Sequence, residues 1–141
     1  MAEVRLDNET LMHISLFEKI TRTRVRDCVP MEDKIIFMVD NGWITKAVGK
    51  DGENVSRLRK ALDKTIQIIE YSDDPQQFVA SVFHPYEVES VELEMRGEQI
   101  HATVKVNPAL KAKAIGKQGR NLKIFRDIIS RHHNIQSVSV A

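Results

Sequence analysis

Apolar positions along the chain follow two rhythms, one of helical period and one alternating. Residues 8–20 place Leu11, Ile14, Leu16, Phe17 and Ile20 at helical spacing, with Asp7 positioned as an N-cap. Residues 25–29 and 35–39 are short apolar runs separated by a turn near 30–33, which predicts two strands. Asp40, Asn41 and Gly42 form a turn signal, and residues 43–48 are long enough for a short helix. After a glycine-bounded break, residues 54–62 set Val55, Leu58 and Leu62 on one helical face, and the isoleucine-rich run 65–71 predicts a strand.

The same order then recurs. Asp73, Asp74 and Pro75 suit a linker and a helix start, because proline is tolerated in a first turn where its missing N–H is not needed. A helix over 76–83 is expected to stop at His84 and Pro85. Residues 88–95 alternate, with Val91, Leu93 and Met95 against Glu92 and Glu94, and Arg96, Gly97 and Glu98 form a hairpin turn before a second alternating run, 100–106. Asn107 and Pro108 open a short helix to 115, a second glycine-bounded break follows, and residues 121–131 and 135–140 predict a helix and a last strand. Each half thus reads helix, strand, strand, short helix, Gly-x-x-Gly, helix, strand.

Residue identities confirm the repeat. Gly49 and Gly116 are 67 residues apart, and at that offset Lys46, Ala47, Gly49, Lys50, Gly52, Asn54 and Arg59 match Lys113, Ala114, Gly116, Lys117, Gly119, Asn121 and Arg126. Val48/Ile115, Val55/Leu122 and Leu58/Phe125 are apolar in both copies. The period is longer than that of solenoid repeats and fits a duplicated small domain. The 141 residues therefore divide into two units, 1–72 and 73–141, each α+β.

The breaks carry the candidate chemistry. A helix that begins at Gly-x-x-Gly presents unpaired backbone N–H groups and the positive end of its dipole, an arrangement suited to an anion. Glycine also lets a sugar-phosphate chain come close. The candidate nucleic-acid-binding residues are Gly49, Lys50, Asp51 and Gly52 in the first loop and Gly116, Lys117, Gln118 and Gly119 in the second, with Lys46 and Lys113 one turn before and Arg120 just after. One such loop would be read as a simple chain reversal; two with matching flanks favour binding. The first loop holds Asp51 and is followed by Glu53, whereas the second holds Gln118 and is followed by Arg120, so the second unit is expected to bind more strongly.

Charge changes the picture only through its distribution. The net charge is +1, too small by itself to suggest a nucleic-acid binder. Residues 105–131 nevertheless contain eight basic side chains and one acid, and residues 70–98 contain eight acids and one arginine, which predicts a local electropositive surface. Apolar residues at 42% and charged residues at 29% fit a folded rather than a disordered chain.

The segments 47–55 and 114–122 resemble the cores of KH domains, and the element order resembles the type II form: two tandem units, each helix-strand-strand-helix-helix-strand with a small mixed three-stranded sheet. Over its whole length the chain is similar to archaeal NusA-like transcription factors. That resemblance implies a binder of single-stranded RNA in transcription elongation and termination, holding about four nucleotides of backbone at each loop. It implies that Val48 and Ile115, with Val55 and Leu122, line the base-accepting groove; ordinary core packing is the equal alternative. It alone points to RNA polymerase as a partner. A KH protein of ribosome assembly or RNA processing would need the same loops.

Other features point away from other classes. Cys28 is the sole cysteine, which fits a reducing compartment and hence the cytoplasm. No apolar run suits a signal peptide or a membrane span. The five histidines lack metal-ligand spacing, so no metal and no cofactor is expected, and no catalytic constellation suggests an enzyme. A monomer is expected. Trp43 is expected to anchor the core rather than to stack on a base.

Overall fold

The structure, a computed structural model, describes residues 7–141. Residues 1–6, which the sequence reading places in the first unit, lie outside the described residues. The described chain divides between Ser72 and Asp73 into two compact units.

In the first unit the elements are α1 (Asn8–Thr21), β1 (Val25–Pro30), β2 (Lys34–Val39), α2 (Ile44–Val48), a 3-10 turn at Lys50–Gly52, α3 (Glu53–Leu62) and β3 (Thr65–Glu70). Asp7 caps α1 by accepting the Thr10 N–H at 2.8 Å. The helix ends at Arg22, which takes a left-handed conformation and donates its N–H to the Glu18 carbonyl. The sheet has the order β1-β2-β3, with β2 antiparallel to β1 and parallel to β3. It is therefore mixed, and the parallel pairing requires the α2–α3 crossover that carries the first loop.

Helical and sheet residues interlock around Phe17, Cys28, Ile35, Phe37, Val39, Ala47 and Leu58. The Phe17 and Phe37 rings stack at 4.3 Å between centroids. Ile14, Leu16 and Ile20 pack on this cluster, whereas Leu11 is exposed. Burial pushes the Cys28 thiol up to about 12, with Asp27 and Asp7 adding to the shift.

The second unit repeats the plan with α4 (Pro75–Val82), β4 (Val88–Arg96), β5 (Gln99–Val106), α5 (Lys111–Ile115), α6 (Arg120–His132) and β6 (Ser137–Val140). Its sheet, β4-β5-β6, is again antiparallel then parallel. Asp74 caps α4 through the Gln76 N–H. Where the sequence predicts a plain stop at His84 and Pro85, a 3-10 turn runs over His84–Tyr86 and closes with Glu87 at φ 58°. Proline starts that turn without needing an N–H. Phe83 and Phe125 meet edge to face at 4.9 Å, joining the end of α4 to α6. Phe78, Ala102, Val104, Ala114 and Ile129 are fully buried. The last strand begins at Ser137, two residues later than the apolar pattern suggests, although Ile135 is buried.

Candidate nucleic-acid interface

Both loops are built in one way. Gly49 ends α2 at φ 81°, ψ 168°, and Gly116 ends α5 at φ 80°, ψ 169°. This backbone region is open essentially to glycine alone. Asp51 (φ 56°, ψ 28°) and Gln118 (φ 58°, ψ 27°) are left-handed, as are Gly52 and Gly119 at φ 72° and 71°. Gly52 and Gly119 each donate an N–H back to the first glycine's carbonyl at 3.1 Å. The second unit thus reproduces the first loop's backbone angles to within about ten degrees.

The first glycine is also required by packing. A Cβ on Gly116 would stand 2.7 Å from the Asn121 Cβ and 2.9 Å from its backbone N; on Gly49 it would meet Asn54 at 3.0 Å. The second glycine differs, because a Cβ on Gly52 or Gly119 would meet nothing within 4 Å. The space before those two residues is open.

The sequence pattern shows Asn54 and Asn121 only as matches in the repeat; the structure gives them a task. Asn121 is buried and donates from Nδ2 to the Ala114 carbonyl at 2.9 Å and to the Tyr86 hydroxyl at 3.1 Å. It ties the end of α5 to the start of α6 and so sets the loop between them. Asn54 makes the lighter version, one bond to the Lys46 carbonyl at 3.2 Å.

α3 and α6 start at Gly52 and Gly119 with no side-chain cap. α1 and α4, away from the loops, are each capped by an aspartate. The clamp helices therefore present their positive ends without an internal carboxylate to satisfy them. Lys46, Lys50, Asp51, Lys113, Lys117, Gln118 and Arg120 are all exposed around these ends. Val48, Val55, Ile115 and Leu122 are half-buried, while the neighbouring Ala47 and Ala114 are fully buried. Each loop thus combines a backbone N–H cluster, flanking cations and a partly apolar margin. In the second unit the exposed acids Glu89, Glu92 and Glu94 lie on β4, away in sequence and element from the basic α5–α6 segment.

Trp43 departs from the sequence expectation. It is 47% exposed and not a core anchor. The next residue, Ile44, packs against the core, and the site beneath α2 is filled by Phe17, Phe37 and Leu58 around the small Ala47. At the N-cap of α2, Trp43 is turned outward, with the Lys46 Nζ 5.2 Å from its ring centroid. Among the described residues no cluster of ligating side chains could hold a metal, and no helix is long and apolar enough to cross a membrane.

Comparison with known proteins agrees with this geometry. Residues 75–141 match the model of the NusA-like second KH domain, and residues 11–98 match that of the KH domain. The chain is 37% identical over 140 residues to the "Probable transcription termination protein NusA" of Thermoplasma acidophilum, covering 99% of this chain and 97% of that one. It is 36% identical over 140 residues to the protein of the same name from Methanocaldococcus jannaschii, covering 99% of this chain and 76% of that one. The crystal structure of APE1850 matches with a TM-score of 0.71 at 32% identity, over 96% of this chain and 100% of that one. With two mixed three-stranded sheets, two matching Gly-x-x-Gly loops and relatives along nearly its full length, the chain belongs to the NusA-like family of KH-domain proteins.

Proposed function

We propose that this protein is a non-catalytic, single-stranded-RNA-binding factor of transcription elongation and termination that clamps nascent RNA at both loops. One observation carries the reading: two loops 67 residues apart hold the same glycine-dependent backbone at uncapped helix starts. A chain reversal alone would not need the second glycine's open face, whereas a sugar-phosphate backbone needs room to approach. The N–H groups and Lys46, Lys50, Lys113, Lys117 and Arg120 meet phosphates; Val48 and Ile115, with Val55 and Leu122, flank the bases. Phosphate contacts position the strand, and base choice falls to the groove. The names of the relatives favour transcription over ribosome assembly or RNA processing, and the same kinship suggests RNA polymerase as partner, with the protein acting as a cytoplasmic monomer.

Fluorescence anisotropy with a short single-stranded RNA across a salt series tests the clamp. Five phosphate contacts would give a slope of log affinity against log salt near about −3.5 for a single strand. Binding should be lost in Lys117→Asp/Gln118→Asp with the fold intact. Absence of binding by the wild type at low salt would reduce the loops to structural corners. Affinity capture from cells should recover RNA polymerase; recovery of ribosomal subunits instead would move the protein to ribosome assembly.

A further inference from the structure

We infer that Trp43 is a nucleobase-stacking platform that extends the RNA footprint of the first unit beyond its Gly-x-x-Gly loop. The inference rests on the clamp reading and adds to it a contact that the second unit lacks.

Trp43 is the chain's sole tryptophan and is 47% exposed. At the matching position the second unit has Leu110, which is half-buried. The difference is confined to the side chain, since both residues are N-caps of five-residue helices with nearly the same backbone (φ −105°, ψ −2° and φ −109°, ψ −1°). Leaving an indole in water forgoes a large gain from burial. Here the core position goes to Ile44 instead.

The location suits a base. Trp43 and Gly49 are the two ends of α2, about 9 Å apart at the helical rise per residue. A strand held at Gly49–Gly52 can therefore reach the ring. Lys46 lies between them in sequence, its Nζ 5.2 Å from the ring centroid. An aromatic face beside an ammonium matches a nucleotide, which offers an aromatic base beside a phosphate. The nearest acid in sequence, Asp40, is already paired with Arg26 at 2.9 Å, so it opposes an incoming phosphate less than a lone carboxylate would.

The first loop also has more reason to need such a contact. Asp51 and Glu53 are exposed at the first helix start, where the second unit has Gln118 and Arg120. These acids weaken phosphate binding by repulsion. Stacking is indifferent to that repulsion and tolerant of sequence, because every base has a π face.

Because Trp43 is the only tryptophan, intrinsic emission reports on this residue alone. The full chain is titrated with a ten-nucleotide single-stranded RNA of mixed sequence, and anisotropy of the labelled strand is followed in parallel. The expected result is quenching of Trp43 emission with the anisotropy midpoint, and no quenching by an all-abasic strand of equal length and charge. Trp43→Ala should lower affinity about 5- to 150-fold, with Trp43→Phe retaining most of it. RNA bound through the loops, and released by Lys117→Asp/Gln118→Asp, with unchanged Trp43 emission would overturn the inference and leave the clamp standing. Equal quenching by the abasic strand would overturn it too, since the ring would then sense only phosphate. No binding by anisotropy at low salt would remove both readings. Should Trp43→Ala fail to fold, the wild-type emission titration and Trp43→Phe still decide.

Discussion

The two glycines of the second loop should respond to alanine in opposite ways. Gly116→Ala forces a Cβ into a backbone region essentially reserved for glycine, at a cost of about 1–3 kcal/mol. It also brings that Cβ to 2.7 Å from the Asn121 Cβ and 2.9 Å from its backbone N, neither of which is a flexible side-chain end. Overpacking of this kind adds about 1–3 kcal/mol, giving a total of about 2–6 kcal/mol. Gly119→Ala meets nothing within 4 Å, so only the left-handed conformation is penalised, by about 1–2 kcal/mol. The stiffer unfolded chain offsets about 0.4–1 kcal/mol of that. In thermal denaturation, where 1 kcal/mol shifts the Tm of a unit this small by about 4–8 °C, the two variants should be well separated. RNA affinity should run the other way relative to stability. Gly119→Ala, still folded, places a methyl group in the open space before the helix start and should bind RNA weakly. Equal melting of the two variants would refute the packing argument. Wild-type RNA affinity in Gly119→Ala would refute the approach of the strand at that glycine.

Neutralising Lys117 and Arg120 should reduce affinity more than neutralising Lys50, whose phosphate contact is already opposed by Asp51 and Glu53; each lost phosphate contact should flatten the salt slope by about 0.7, read by anisotropy. Asn121→Ala leaves the buried Ala114 carbonyl without its side-chain donor and should destabilise by about 1–3 kcal/mol in urea unfolding, whereas Asn54→Ala, which loses one 3.2 Å bond, should stay below about 1 kcal/mol. Cys28 should stay a neutral thiol when folded: its raised pKa makes the contribution to stability complete below the unfolded value near 9 and lost as pH rises toward 12. Over that window stability should fall by up to about 1.4 kcal/mol per pH unit more in the wild type than in Cys28→Ala.

The element order was legible because strands and helices in so small a unit must each show one apolar face. The turns were legible because Asn41-Gly42, Arg96-Gly97 and Pro75 carry strong local preferences. The loops were legible only through duplication; a single Gly-x-x-Gly carries little information. Three features were not. Asn121 is polar, and nothing in a periodic pattern separates a buried brace from a solvated residue, although its recurrence as Asn54 at the offset of the glycines was a usable signal. Trp43 defeated the rule that large aromatics are inside because α2 has room for only one core-facing residue at its start, and Ile44 takes it. Leu11 fits the helical stripe of α1 yet is exposed, since Thr10, Phe17 and Thr21 set the buried side of that helix. In each case burial was decided by three-dimensional packing, which spacing along the chain does not encode.

The division between fixed and variable positions in the two loops has a physical basis. The first glycine and the asparagine behind it answer to the fold: one has a backbone angle and a close contact that exclude a Cβ, and the other satisfies carbonyls where α2 or α5 ends. These are the same in both units. The residue before the second glycine and the residue after it project into solvent, so their charge has little influence on whether the loop forms. There the units differ, aspartate and glutamate in one, glutamine and arginine in the other. An anionic strand meeting these loops finds one backbone cradle offered twice at two electrostatic strengths. The weaker loop is the one whose preceding helix starts with an exposed tryptophan beside a lysine. A duplicated clamp can thus divide its work by charge and stacking while its backbone stays unchanged.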